Sequence, residues 1–141
     1  MKKILFILFF IPLFAFAQQE PANNLGKTLT ELKQKFPDLT PCGQYGGANS
    51  YTSSSANMLF SIKKNMVITE FAVLECEKGF ERDMYYAIVN RFLEEKAHKS
   101  YLEGNDGKSI SIFYSYFYIY LSYTPGSDVS ISYKLYPKYY E

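Results

Sequence analysis

The chain has 141 residues, enough for one domain built around one core. Fifteen Lys and Arg stand against 14 Asp and Glu, a formal net charge of +1. These charges are scattered, which argues against nucleic acid as a partner, because such binding needs a concentrated basic patch.

Residues 1–17 have the three parts of a secretory signal: a basic start at Lys2 and Lys3, an apolar run from Ile4 to Phe16, and small residues at Ala15 and Ala17. That run is too short for a helix to span a bilayer, which takes roughly 20 residues. The first cysteine is Cys42, so no lipid-anchor cysteine follows the cleavage point. The expectation is export to the periplasm or beyond, with no membrane span or lipid anchor. Loss of Lys2 and Lys3 takes the formal charge from +1 to −1.

Residues 18–26 are polar and read as a flexible mature N-terminus, followed by a single domain over 27–141. Thr28 and Glu31 make a capping-box pattern ahead of Leu29, Leu32 and Phe36, which predicts a short helix over 29–36. Residues 38–57, with Gly43, Gly46, Gly47 and Ser53-Ser54-Ser55, read as mostly loop, with a short strand near Tyr51. Residues 58–64 and 66–76 read as two strands joined by a tight turn at Lys64-Asn65. The stretch 80–97 is the best helix, with Met84, Tyr85, Ile88, Val89 and Phe92 on one stripe. Residues 98–103 read as a short strand and Gly104-Asn105-Asp106-Gly107 as a turn. Residues 108–123 read as one long extended segment, Pro125-Gly126 as a turn and 129–136 as the closing strand. The predicted class is α+β: an antiparallel sheet with two helices packed on one face, in the order α-β-β-α-β-β-β.

Side chains alternate between the two faces of a strand. Over 113–123 one face would carry Phe113, Phe117, Ile119 and Leu121, and the other Tyr114, Tyr116, Tyr118 and Tyr120. In the closing strand Val129, Ile131, Tyr133 and Leu135 form the apolar set, and Ser130, Ser132, Lys134 and Tyr136 the polar one. Keeping the serines out of the core pairs Leu121 near Tyr133 and Ile119 near Leu135. Ile110 and Ile112 break the phase, so a bulge or bend near residues 112–115 is expected. Tyrosine combines an apolar body with a polar tip and suits recognition surfaces. Tyr114, Tyr116, Tyr118, Tyr120, Lys134 and Tyr136 are therefore the candidate binding residues.

No HExxH, GxSxG, Cys-x-x-Cys or P-loop pattern occurs, and no metal or cofactor is expected. His98, the sole histidine, falls at a helix end, where contact with terminal carbonyls outweighs a catalytic pairing with Cys42. Glu75/Glu77 and Glu94/Glu95 read as solvent-facing pairs. Asn105-Asp106-Gly107 lacks the other ligands of a calcium loop. An oxidising compartment and an even cysteine count predict a Cys42–Cys76 disulfide.

Leu25-Gly26-Lys27-Thr28-Leu29-Thr30-Glu31-Leu32 resembles the opening of small envelope proteins of the SmpA/OmlA type. These share a helix-plus-antiparallel-sheet architecture with β-lactamase inhibitor proteins. The resemblance covers under a tenth of the chain, lacks that family's lipid-anchor cysteine and transfers no functional residue. It implies protein binding through the sheet. The leading expectation is an exported, non-enzymatic module that binds a protein partner, as an inhibitor or an assembly factor. The alternatives are a small-ligand carrier and a hydrolase without a recognisable motif.

Overall fold

A computed structural model describes residues 24–95 and 97–141; the expected signal segment lies outside them. Helix α1 (Leu29–Lys35) starts where the capping box places it. The Thr28 hydroxyl accepts from the Glu31 N–H at 3.3 Å, and the Glu31 carboxylate accepts from the Thr28 N–H at 2.7 Å. Four strands follow: β1 (Thr40–Tyr45), β2 (Ala48–Ser53), β3 (Met58–Lys63) and β4 (Met66–Leu74). Helix α2 (Glu81–Glu94) and four more strands complete the chain: β5 (Ser100–Glu103), β6 (Ser109–Phe113), β7 (Phe117–Tyr123) and β8 (Val129–Leu135).

The α+β class and the antiparallel sheet are as expected, but the strand count is not. All eight strands form one sheet in the order β1-β2-β3-β4-β8-β7-β6-β5. Each half is a helix followed by a four-stranded meander, and the halves meet antiparallel along β4 and β8. Two segments depart from the expected pattern. Residues 38–57 are a hairpin rather than a loop: Gly46 and Gly47, with φ of 58° and 77°, supply the left-handed pair of a type I′ turn between β1 and β2. Residues 108–123 are also a hairpin rather than one extended segment, because the chain turns at residues 114–116.

The register shows both helices on one side. Phe60, Glu70 and Tyr133 lie directly opposite one another across β3, β4 and β8, so they share a face. Phe60 packs with Leu32 of α1, together with Leu39, Ile62 and Val67. Tyr133 packs with Tyr85 and Val89 of α2, together with Ile110, Ile112, Ile119, Leu121, Val129 and Ile131. Leu25 touches both clusters. It belongs to the end of the segment read as loose, yet Asn24 is buried, and Gly26 N–H donates to the Val67 carbonyl at 2.8 Å.

The expected β7–β8 register is displaced by two residues. Ile119 pairs with Tyr133 and Leu121 with Ile131, because Val129 closes the turn directly against Tyr123. A two-residue displacement keeps every side chain on its face. The Cys42–Cys76 disulfide is absent and both thiols are free. Cys42 lies on edge strand β1, three strand spacings from β4, roughly 14 Å. Cys76 lies beyond the end of β4 and far along the strand direction. A disulfide needs Cα atoms closer than about 7 Å.

Candidate functional site: the outer sheet face

Both helices cover the same side, so among the described residues the other side of the sheet carries none. Its composition follows from the register. One transverse row reads Leu59, Phe71, Ser132, Tyr120, Ser111 and Leu102. The next reads Ser61, Thr69, Lys134, Tyr118, Phe113 and Ser100. Ser122 and Ser130 hydrogen-bond across β7 and β8 at 2.9 Å. The strands contain two carboxylates, Glu70 and Glu103, and pairing with Tyr133 and Ile110 turns both toward the helices. The strand cations, Lys63 and Lys134, take the opposite phase. The strands thus give the outer face hydroxyls, rings and a positive formal charge.

The six expected binding residues are only partly brought together. Tyr118 and Tyr120 lie on the outer face beside Lys134, and Tyr120 is 39% exposed. Tyr136 stacks on Tyr118 with ring centroids 5.8 Å apart. The other two leave the row because they lie in the turn between β6 and β7. Tyr114 stacks on Phe117 at 4.7 Å and packs against the α2-side core, which pushes its phenol up to about 12 by burial. Tyr116 stands exposed in the turn, 5.6 Å from the Tyr139 ring. Phe113, expected in the core, lies outside opposite Tyr118, while Ile110 and Ile112 take the buried phase.

After β8 the chain folds across one end of this face. Pro137–Tyr139 form a 3₁₀ turn. Tyr136 OH donates to the Tyr114 carbonyl at 2.9 Å, and Tyr139 OH to the Ser115 carbonyl at 3.4 Å. At the far side Lys63 Nζ lies 5.6 Å from the Tyr140 ring centre, and Lys64 Nζ donates to the Glu141 main-chain carbonyl at 2.8 Å. Residues 136–141 therefore form a strap from the β6–β7 turn to the β3–β4 turn. Burial raises the Tyr118 phenol, with the neighbouring Tyr140 and Tyr136 adding to the effect.

The helix side holds a polar group that sequence reasoning passed over. Glu70 is fully buried between the two apolar clusters, and neither oxygen has a hydrogen-bond partner at bonding distance among the described residues. Burial pushes its carboxyl up to about 8, against the opposing pull of Asn24 and the ammonium groups of Lys35 and Lys27. Lys35 Nζ itself donates to Asn24 Oδ1 at 2.9 Å.

The chemical candidates stay apart. Cys42 is on edge strand β1, and His98 precedes β5 at the opposite edge. His98 lies against the Tyr101 ring, its Nδ1 buried without a partner among the described residues. Ser53 is buried and donates to Asp38 Oδ1 at 2.8 Å, while Ser54 and Ser55 are exposed in the turn that follows β2. The Ser55 N–H and Ser53 hydroxyl hold the Asp38 carboxyl below its ordinary range. Glu75, Glu77, Glu94 and Glu95 are exposed, and Asp106 Oδ1 accepts from Lys108 N–H as a hairpin turn requires. No family model, curated protein or solved structure matches the chain.

Proposed function

We propose that this is an exported, non-enzymatic module that binds a partner protein through the outer face of its sheet. The observation that carries this reading is the combination on that face of Tyr118, Tyr120, Phe71, Leu59 and Leu102 with serines and Lys134, and with no carboxylate from any strand. Rings with polar tips lose little rotamer freedom on contact, and clustered hydroxyls satisfy an incoming backbone. The SmpA/OmlA resemblance of residues 25–32 also implies protein binding through the sheet, and the role proposed is that of an inhibitor or an assembly factor.

The test is affinity capture from envelope extract of the source organism, with chain 18–141 as bait. Tyr120→Ala weakens capture by about tenfold or more if the ring is a central anchor. Lys134→Ala has a smaller effect that fades with salt. A Tyr120→Ala variant that is folded by far-UV dichroism and captures the same partner undiminished refutes the reading.

A further inference from the structure

The strap shows what one end of the outer face accepts. A tyrosine ring stacks on Tyr118, a second meets the Lys63 ammonium, a third meets Tyr116, and a carbonyl accepts from Lys64. The strap is also lightly held. Pro137–Tyr139 contain no buried residue, and Tyr139 is 39% exposed. Its ammonium–ring contacts lie at the surface, where water weakens such attractions. We propose that this end of the outer face is a docking site for an aromatic-rich segment of a partner protein, with residues 136–141 as the resident occupant that the segment displaces. The proposal rests on the protein-binding reading above and specifies the partner's chemistry: tyrosine-like rings beside a main-chain or carboxylate acceptor. Acceptors fit because the strands turn no carboxylate toward Lys63 and Lys134, and Lys64 takes its acceptor from the strap, at Glu141.

Tethering sets the selectivity. A short tether holds its segment at an effective concentration on the order of millimolar, so a weak free peptide does not displace it. A protein that also covers Tyr120 and Leu59, exposed beyond the strap, gains contacts that the strap itself does not make.

The probe is a fluorescein-labelled hexapeptide, Tyr-Pro-Lys-Tyr-Tyr-Glu, titrated by anisotropy against the full chain and against Tyr139→Ser/Tyr140→Ser. The double variant is expected to bind it at least about tenfold more tightly than the unaltered chain, because the competing strap is weakened. Adding Lys63→Ala and Lys64→Asn should abolish the gain; Asn suits the left-handed backbone at position 64. Equal affinity for both chains, or a gain that survives loss of both lysines, overturns the proposal. Should the double variant fail to fold, Tyr139→Ser alone is titrated, with a gain of about threefold expected and equal affinity again overturning it. A dimer of the unaltered chain that Tyr139→Ser/Tyr140→Ser makes monomeric overturns the partner assignment in favour of strap exchange between copies. Capture that depends on Tyr120 while the peptide never binds refutes the docking site alone and leaves the outer-face reading standing.

Discussion

At Glu70 a carboxyl group occupies a position where an apolar residue would serve packing better. Its folded-state value of about 8 lies above the ordinary 4.5, so the folded protein holds this proton more tightly than the unfolded chain. Stability from this group is complete below about pH 4.5 and is lost as pH rises through about 8. Glu70→Gln should therefore change little at pH 4 and stabilise by roughly 3–5 kcal/mol above pH 8, at about 1.4 kcal/mol per unit of displacement. Urea melts across that range check this; a gain independent of pH would mean Glu70 does not titrate as its burial requires. Phe60→Ala should cost about 3–5 kcal/mol, since the ring is fully buried, and Phe117→Ala less, since that ring is half-buried. The same melts rank the pair. Glu70 was not legible in the sequence because one acid in an alternating strand reads as an outward polar residue. Tyr118, Tyr120 and Lys134 were legible as a set, because their phase follows from β7 and β8 alone.

Among the elements, α1 owes its start to two reciprocal bonds at Thr28. Thr28→Ala should cost about 1 kcal/mol, read from the denaturation midpoint. Both helices and β3, β4 and β8 were legible because their caps, stripes and turn residues agree with one another. The β1–β2 hairpin was not. Every residue of β1 is exposed, so it has no apolar alternation to reveal it. The β6–β7 turn was hidden differently. Tyr114-Ser115-Tyr116 contains no Gly, Pro, Asn or Asp, and the only signal was the phase break between Ile112 and Phe117. That break was seen, but one residue of bulge and a full reversal leave the same mark on the pattern. The strand placement of the thiols gives a further outcome. Denatured, unreduced protein should titrate two thiols, and in the native state Cys42 should react first. Burial, reinforced by Glu81 and Asp128, raises the Cys76 thiol and slows it.

At the scale of the whole molecule, the two helix-plus-meander halves share one sheet through the β4–β8 ladder, and Leu25 bridges their cores. No similarity between the halves is visible in the sequence, because the shared feature is topology and a core can be filled by many side-chain sets of suitable volume. The continuous ladder predicts one cooperative transition. Tyrosine fluorescence and far-UV dichroism should give coincident melts, and Phe60→Ala and Ile119→Ala should each shift both signals together. The open order of the sheet has a consequence for handling. An unclosed sheet ends in two unpaired backbone edges, and these differ. On β1, Pro41 and an irregular register at Pro41/Gly43 blunt the edge. The short β5 presents Tyr101 and Leu102, 52% and 67% exposed, with no such guard. Aggregation of concentrated stocks should thus begin at β5, and Leu102→Lys should raise the concentration at which light scattering first appears. On that outcome, the limit on storing the molecule would lie at one four-residue strand at the edge of its sheet.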